Sequence, residues 1–286
     1  MIQIAPALRA GNRRLVAAAR AREAMASLAE CHLCAHHCGV NRLAGERGPC
    51  GARVDGRIFS IQTEVSDELE LIPTFAIALG GCDMRCAFCI TGADSWNPSS
   101  GVFMTPAEIA IRAEKALAHG ARTIMILGGE PTIHLPTALE IVAALPAEVP
   151  LIWKTNAHGS AEARDWLEGV FDFWLADYKF GNDACAERLS RTSDYTRVVQ
   201  ENLRWAGSHT QLLVRHLLMP GHVDCCWRPV AQWLAENLPD VRVNLRTGFW
   251  PAWQARRHRE LGGPVPSGEA DRAWEIAREL SLTLIE

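Results

Sequence analysis

Cys82, Cys86 and Cys89 lie close together in the run GGCDMRCAFC, with the spacing C-x3-C-x2-C. Three thiolates at this spacing can hold three irons of a [4Fe–4S] cluster, and no fourth cysteine follows at the spacing found in ferredoxins. The fourth iron would then have no ligand from this loop, so a substrate could bind there and be reduced. The alternatives are three buried thiols or a zinc site, although zinc ligands usually occur as separated pairs of cysteines.

The position of these cysteines in the predicted structure supports a catalytic role. The apolar run TFAIALGG precedes them and is typical of a strand that ends in glycines. The cysteines therefore lie in the loop at the carboxyl end of a strand, which is where barrel folds carry their active sites.

Polar residues follow several later strands in the same way. Two glycines in GGEPT allow close approach of the backbone to a ligand, and Asp177 and Lys179 share one face because they are two residues apart. A lysine there could bind a carboxylate, or the pair could be an ordinary salt bridge. Arg215 and His216 must point to opposite faces, so only one of them can face the barrel interior. Asn244 and Arg246 share one face of a later strand and could line the substrate end.

A second cysteine group precedes the first along the chain. The spacing C-x2-C-x3-C-x11-C is formed by Cys31, Cys34, Cys38 and Cys50. Four thiolates can bind a structural zinc ion or an auxiliary iron–sulfur cluster, and both metals stay open at this point. The run GERGPCG predicts a turn that returns Cys50 to the other three thiols. The alternative is a set of reduced thiols in a tight loop.

Three further cysteines lie outside these groups. Cys185 falls in the helical stretch DACAERLS and is interpreted as a packing residue. Cys225 and Cys226 follow PGHVD in a loop before a helix, and they are candidate catalytic thiols that could donate hydrogen to a substrate radical. The simpler interpretation of the pair is ordinary thiols.

The alternation of apolar strands and helical stretches predicts an α/β fold. Strands are predicted at 74–80, 123–128, 150–155, 171–177, 211–219 and 241–246, with helices between them. Six parallel β/α units indicate a partial (β/α)6 barrel with a small Cys-rich N-terminal extension; a doubly wound sheet is the alternative. We predict two regions. Residues 1–66 would contain an N-terminal helix, over 14–29, and the Cys-rich metal-binding segment, and residues 67–286 would form the barrel.

Composition narrows the class of protein. The 286 residues are 48% hydrophobic and carry a net charge of −4, so the charge gives no indication of nucleic-acid binding. No apolar run approaches membrane-spanning length. The ten cysteines fit reduced thiols in a cytoplasmic protein better than a disulfide framework. The Ala- and Arg-rich N-terminus could be an organellar transit peptide, but a plain helix is the favoured interpretation.

The spacing C-x3-C-x2-C is the signature of the radical S-adenosylmethionine (radical SAM) superfamily, which the chain resembles. The resemblance implies that the open iron binds the amine and carboxylate of S-adenosylmethionine. It further implies that one electron breaks the C–S bond and that the 5′-deoxyadenosyl radical abstracts hydrogen from a substrate. The cofactor-binding residues it implies are Gly128, Gly129, Glu130, Pro131, Thr155, Asn156, Asp177, Lys179, Arg215 and His216.

Segments between Cys31 and Trp250 resemble the PflX-like group, relatives of pyruvate formate-lyase activating enzyme. They are CHLCAHHCGVNRLAGERGPCG, GGEPT, KTN, DYKFGNDACAERLS, DYTRVVQENL and VRHLLMPGH. The last strand departs from that group, because NLRTGFWPAW stands where a Met-x-Gln-Tyr-x-Pro type run is usual. This departure leaves the substrate open.

The resemblance therefore predicts a radical SAM oxidoreductase that is similar to glycyl-radical activating enzymes. Its substrate would be a separate glycyl-radical enzyme or peptide, or alternatively a small metabolite. A one-electron reductant such as flavodoxin or ferredoxin is the expected partner. An iron–sulfur electron-transfer protein is the rival of a different class; it requires every iron to be ligated and no S-adenosylmethionine site, against which GGEPT and Asp-x-Lys argue.

Overall fold

The computed structural model describes residues 10–66, 68, 70–146 and 148–285. Its strands form one sheet whose spatial order follows the order in sequence. The first strand is antiparallel to the second, and all later neighbours are parallel. The strands are β1 (Ile58–Glu64), β2 (Thr74–Leu79), β3 (Thr123–Gly128), β4 (Leu151–Thr155), β5 (Phe173–Asp177), β6 (Gln211–Leu217), β7 (Arg242–Arg246) and β8 (Thr283–Leu284).

Helices alternate with these strands and cover the outer face of the sheet. They are α1 (Ala10–Ala26), α2 (Ala93–Trp96), α3 (Pro106–Ala118), α4 (Leu135–Ala144), α5 (Ala161–Leu167), α6 (Asp183–Ser190), α7 (Tyr195–His209), α8 (Arg228–Asn237) and α9 (Ser267–Glu279). Thr105 caps α3 in a reciprocal capping box with Glu108, as the sequence Thr-Pro predicts. Within the described residues, no helix combines the length and the apolarity needed to cross a membrane.

The predicted partial barrel is confirmed, and the doubly wound alternative is wrong. A doubly wound sheet reverses its strand order at a switch point, whereas this sheet runs from β1 to β8 without reversal. The six predicted strands correspond to β2–β7, with ends that differ by no more than a few residues. The barrel sheet is longer than predicted, because an antiparallel strand precedes these six and a two-residue strand follows them.

The run RIFSIQTEV, residues 57–65, contains one strand, β1. A register shift between Ile58 and Ser60 interrupts its pairing with β2 without ending the strand. Such a bulge bends one strand locally. Because β1 pairs with β2 in the barrel sheet, the N-terminal segment is continuous with the barrel. The domain boundary between residues 66 and 67 stays a prediction.

The interior of the barrel is apolar at one end and charged at the other. Side chains two residues apart share a strand face, and on β5 this face carries Phe173, Leu175 and Asp177. The apolar members of the interior face form a small buried cluster of Leu71, Met125, Ile152, Phe173, Leu175 and Leu213. Asp177 lies at the carboxyl end of β5 and therefore at the mouth of the barrel.

Helix α1 packs on the outside of the barrel against α4. Arg13 anchors it, because its guanidinium pairs with the buried carboxylate of Asp172 at 2.8 Å and donates to the carbonyl of Val149 at 3.0 Å. Asp172 in turn accepts from the backbone N–H of Leu151. The predicted helix over 14–29 thus exists with its start at Ala10, and a 3-10 turn, Ser27–Glu30, continues it to the first cysteine.

Candidate active site

The loop that carries Cys82, Cys86 and Cys89 follows β2 and is fixed by backbone hydrogen bonds. The N–H groups of Arg85 and Ala87 donate to the carbonyls of Ser190 and Leu189, at the end of α6, at 2.9 and 2.8 Å. Cys82 and Cys86 are buried and Cys89 is half-buried. The sequence expectation that these thiols lie at the carboxyl end of a barrel strand is therefore met.

The surroundings of the three thiols suit a bound metal cluster. Burial raises the pKa of Cys86 to about 12, and the positive charge of Lys179 opposes this rise. The buried thiols of Cys82 and Cys86 are thus neutral unless a cation binds them. The backbone N–H of Met84 donates to the sulfur of Cys82 at 3.4 Å, and hydrogen bonds to sulfur are among the features that tune iron–sulfur clusters.

Gly128 and Gly129 are needed because two backbone segments touch. A Cβ on Gly128 would lie 2.1 Å from the carbonyl oxygen of Leu79, and one on Gly129 would lie 2.0 Å from that of Gly81. The N–H groups of Gly129 and Glu130 donate to these same carbonyls at 3.0 and 2.9 Å. The two glycines thus allow a close approach to the end of β2, and the predicted approach to a ligand stays a prediction.

The buried carboxylate of Glu130 joins the ends of β3 and β4. One oxygen accepts from the N–H and hydroxyl of Thr132 at 3.0 and 2.5 Å and from the hydroxyl of Thr155 at 2.9 Å. The other accepts from the N–H of Asn156 at 2.7 Å. Burial and the nearby charge of Asp83 raise the pKa of Glu130 to about 7 against these hydrogen bonds. Pro131 opens the 3-10 turn that follows, Pro131–His134.

Asp83 connects the cysteine loop with the loop after β4. Its carboxylate accepts from the side-chain amide of Asn156 at 2.7 Å and contacts Nδ1 of His158 at 2.7 Å. Burial disfavours the charge, but these two partners outweigh it and lower the pKa of Asp83. The amide nitrogen of Asn156 also lies 3.8 Å from the sulfur of Cys82. Asn156 is therefore placed beside the predicted cluster.

Asp177 lies between two cations at the barrel mouth. Its carboxylate pairs with Nζ of Lys179 at 2.5 Å and with Nε of Arg215 at 2.7 Å. Burial opposes ionisation, yet the charge of Arg215, followed by that of Lys179, lowers the pKa of Asp177 strongly. Arg215 also approaches the buried carboxylate of Glu68 at 3.5 Å. The salt bridge predicted as an alternative for Asp177 and Lys179 is thus present, and it belongs to a larger charged network.

The structure separates His216 from this network. Its ring is buried on the other face of β6, 5.0 Å from that of Trp227, and Nδ1 contacts the carbonyl of Tyr178. Burial lowers the pKa of His216 to about 4, so the ring is neutral. Of the two adjacent candidates, Arg215 faces the interior. On β7, the side-chain amide of Asn244 donates to Glu68 at 3.3 Å, whereas Arg246 is exposed at the strand end.

The N-terminal cysteines lie near one another and near the barrel mouth. The predicted turn is present, with the N–H of Gly51 donating to the carbonyl of Gly48, and it returns Cys50 to the first part of the segment. Burial raises the pKa of Cys34 and of Cys50, and the charge of Asp83 adds to both effects. The thiols of Cys31 and Cys50 likewise act on Cys34.

The other candidate thiols occupy a π-helical turn after β6, Val223–Trp227. Cys226 is fully buried, whereas Cys225 is half-buried and lies 4.0 Å from the sulfur of Cys185. Of the two thiols proposed from sequence as hydrogen donors, Cys225 is therefore the accessible one. Cys185, which was interpreted from its helical position as a packing residue, thus has the thiol of Cys225 as a neighbour.

Three functional-site residues were missed by the sequence reasoning: Glu68, Asp83 and His158. Asp83 stands inside the cysteine loop, and His158 stands in the run KTNAHG beside the predicted Thr-Asn pair, so proximity to a motif was the available signal. Glu68 precedes β2 in a segment without a recognisable motif, and its burial is visible only in the folded chain.

The Glu130 contacts predict the effect of a conservative change. In Glu130→Gln, the side-chain NH2 must face the N–H of either Thr132 or Asn156, because each carboxylate oxygen accepts from one of these groups. We expect the free energy of unfolding to fall by about 1–3 kcal/mol in chemical denaturation. The matched control, Glu114→Gln on the exposed face of α3, should change it by less than about 0.5 kcal/mol. Equal stability of both variants would contradict a stabilising role for the hydrogen bonds that Glu130 accepts from Thr132 and Asn156.

Comparison with known proteins agrees with this geometry. An uncharacterized protein of Methanocaldococcus jannaschii, MJ0674, is 30% identical over 269 residues, which are 89% of this chain and 76% of that protein. The 7-carboxy-7-deazaguanine synthase of Prochlorococcus marinus is 38% identical over 65 residues, 23% of this chain and 28% of the synthase.

Among solved structures, the Streptococcus suis protein SuiB is similar. SuiB bound to its precursor peptide SuiA matches with a TM-score of 0.55 and 14% identity over 71% of this chain, and SuiB bound to S-adenosylmethionine matches with a TM-score of 0.51. The chain spans 46% of SuiB, less than half its length, and this likeness shows the fold alone. The model of the radical SAM superfamily matches residues 77–234, more than half of the chain, and the protein therefore belongs to the radical SAM superfamily.

Proposed function

We propose that this protein cleaves S-adenosylmethionine reductively at a [4Fe–4S] cluster held by Cys82, Cys86 and Cys89. The observation that carries the proposal is the placement of these thiols, on one anchored loop at the carboxyl end of β2, beside the Glu130 and Asp177 networks. The cluster and S-adenosylmethionine together supply a 5′-deoxyadenosyl radical, which takes a hydrogen atom from a substrate. An external one-electron reductant, such as flavodoxin or ferredoxin, would provide the electron that breaks the C–S bond.

The residues around the thiols fit the two charged ends of the methionine moiety. Lys179 lies at the mouth with its charge directed also at Cys86, and it would bind the carboxylate. An ammonium only donates hydrogen bonds, so backbone carbonyls of the GGEPT turn would accept from the amino group. Thr155, Asn156 and Arg215 position these groups through Glu130 and Asp177. These residues argue against a simple iron–sulfur electron carrier, which needs no such site.

A protein or peptide substrate is the class that the surface favours. Ile90, directly after Cys89, is 81% exposed, and Trp250 is 71% exposed. Trp253 is also exposed, and its ring packs over Gly92 in the same loop region. Exposed apolar side chains that are grouped in space mark interaction sites more often than isolated ones do. An exposed apolar surface of this kind fits the separate protein substrate that an activating enzyme of the PflX-like group would bind.

A small metabolite is the second candidate substrate. The charged network of Glu68, Asp177, Arg215 and Asn244 at the barrel interior would suit a small polar molecule. Cell extract can be separated by size, and each fraction tested for stimulation of 5′-deoxyadenosine formation. Stimulation by the macromolecular fraction favours the peptide class, and stimulation by the small-molecule fraction favours the metabolite.

The cluster assignment predicts the result of removing its ligands. Changing Cys82, Cys86 and Cys89 together to Ala should abolish formation of 5′-deoxyadenosine under anaerobic, reducing conditions, because each thiolate holds one iron. Chromatography of the reaction products measures this. Lys115→Ala, which changes an exposed residue of α3, should retain formation of 5′-deoxyadenosine. Wild-type product formation by the triple variant would refute the proposed function.

The placement of Lys179 predicts a loss of affinity. Lys179→Ala should raise the Kd for S-adenosylmethionine roughly 10- to 100-fold, the cost of one hydrogen bond to a charged group. The fold should persist, because Arg215 still compensates Asp177. Calorimetric titration of the cluster-containing protein measures the Kd, with the exposed Lys115→Ala as the control. An unchanged Kd with an intact cluster would remove Lys179 from the site.

A second metal centre at the N-terminal cysteines is part of the proposal. One tetrahedral zinc ion would hold its sulfurs about 3.8 Å apart. Two sets of three or more ligand atoms in the described part of the chain lie within 4.8 Å of one another, and Cys31, Cys34, Cys38 and Cys50 belong to neither. The cysteines at 82, 86 and 89 are outside these sets as well. Zinc and an iron–sulfur cluster both stay open as the centre bound by the N-terminal group.

Metal analysis tests this second centre. Protein that lacks the thiols at 82, 86 and 89 should retain either zinc or iron with sulfide, bound by the N-terminal group, and a further Cys34→Ala change should remove it. Replacement of the exposed His37 by Ala should leave the metal content unchanged, because four cysteines suffice as ligands. The metal that is retained identifies the centre, and absence of both would mean that the four thiols bind no stable centre.

A further inference from the structure

Cys185, His222 and Cys225 form a cluster of metal-ligating side chains outside the radical site. One ligand atom from each lies within 4.8 Å of the other two. The sulfurs of Cys185 and Cys225 are 4.0 Å apart, much longer than the bond of about 2.0 Å in a disulfide. Two thiolates on one tetrahedral zinc ion are about 3.8 Å apart, as follows from a Zn–S bond of about 2.3 Å. The separation is thus compatible with two ligands on one metal ion.

The hydrogen bonds of His222 fix the tautomer that a metal needs. Nδ1 lies 2.8 Å from the carbonyl oxygen of Pro220, which can only accept, so Nδ1 carries the proton. Nε2 lies 3.2 Å from Nη2 of Arg188, and a guanidinium can only donate, so Nε2 presents a lone pair. Histidines that bind metals are commonly held in this way, with the other ring nitrogen donating to a backbone carbonyl.

Asn182 holds the two thiol-bearing segments together. It caps α6, where its side-chain oxygen accepts from the N–H of Cys185 at 2.8 Å. Its side-chain nitrogen donates to the carbonyl of Cys225 at 2.6 Å and lies 3.3 Å from the sulfur of Cys185. Cys225 itself stands in the π-helical turn Val223–Trp227, a local geometry that is frequent at functional sites. The cluster is thus preorganised by contacts that do not involve a metal.

We propose that Cys185, His222 and Cys225 bind one zinc ion, at a site distinct from both groups of cysteines described above. Two thiolates and one imidazole match the ligand types that zinc prefers, and three protein ligands with a fourth position open is the arrangement of catalytic zinc sites. The sulfur of Cys226 also lies 4.0 Å from that of Cys225, but it is not within 4.8 Å of all three proposed ligand atoms. The site joins α6, which follows β5, to the π-helical turn after β6 at the carboxyl ends of the strands, on the same side of the barrel as the radical site.

Arg188 donates to Nε2 of His222 and would move when the ion binds. Its side chain is 45% exposed and its other nitrogen is paired with the carboxylate of Glu260 at the surface. The pair gives the guanidinium a partner after it leaves His222. Zinc binding therefore exchanges one hydrogen bond at His222 for a metal–nitrogen bond and leaves Arg188 paired with Glu260.

Zinc titration of the full-length protein with its iron–sulfur clusters in place tests the site. Wild-type protein should bind one more equivalent of Zn²⁺ than Cys185→Ala or Cys225→Ala, measured by competition with a chromophoric chelator. Loss of a hydrogen-bond partner of a metal ligand lowers metal affinity roughly 10- to 100-fold. Each of these variants removes a ligand itself, so its zinc affinity should fall by more than that. Cys226→Ala should keep the wild-type stoichiometry and affinity, since it removes a neighbouring thiol without removing a ligand.

Cobalt provides a second readout that identifies the ligands. Wild-type protein loaded with Co²⁺ should show sulfur-to-cobalt charge-transfer absorption that is weaker in Cys225→Ala and unchanged in Cys226→Ala. Because Cys225 is half-buried, its variant should fold even where Cys185→Ala does not. Equal zinc stoichiometry and affinity in wild type and Cys225→Ala would overturn the proposal. So would a loss in Cys226→Ala as large as that in Cys225→Ala.

Discussion

The contacts of Glu130 are the constraint on which the candidate site depends. Its N–H donates to Gly81, directly before the cysteine loop, and its carboxylate accepts from residues that follow β3 and β4. One buried side chain thus sets the relative positions of three strand ends. The two preceding glycines make this possible, because any Cβ there would collide with the β2 backbone. A buried carboxylate whose oxygens all accept hydrogen bonds specifies one arrangement of its donors. A buried carboxylate that lacks some of these hydrogen bonds destabilises the fold.

The charges around the thiols are arranged asymmetrically. Asp83 is held ionised by His158 and Asn156 beside Cys82, while Lys179 brings positive charge towards Cys86. Asp177 in turn keeps Lys179 charged, because burial disfavours the ammonium and the nearby carboxylate outweighs it, so that the pKa of Lys179 is raised. The network therefore keeps a cation at the barrel mouth where a carboxylate ligand would bind, and Arg215 prevents that cation from being the sole partner of Asp177.

Much of this fold was predictable because its signals are local. The strands β2–β7 are apolar runs with turn residues after them, and the cap of α3 is a four-residue motif. The short β8 and the bulge in β1 carry no comparable pattern. In the site, the cysteine spacing and the Asp-x-Lys pair were recognised from the sequence alone. The contact of Asp83 with His158, 75 residues away, was not, since a pairing of that separation depends on how the strands are ordered.

The packing of Gly128 and Gly129 against β2 was not predicted, because that strand is distant in sequence. Their interpretation as an approach to a ligand stays a prediction. Alternation along β6 correctly stated that Arg215 and His216 diverge, but which of them faces the interior depends on the partner at Asp177. The alternation along a strand shows which side chains share a face. Only tertiary contacts show which of the two faces points to the barrel interior.

Asp83 also relates the two groups of cysteines to each other. The N-terminal segment is hydrogen-bonded to the loop after β4, through Ala35 to His158 and through Ser160 to Leu33. The side chain of His36 contacts the carbonyl of Asp83, inside the cysteine loop. The charge of Asp83 raises the pKa of Cys34, Cys50 and Cys82, in each case in addition to burial. A change in charge at one cysteine group therefore acts on a carboxylate that the other group also senses, so the fold itself provides a short electrostatic connection between them.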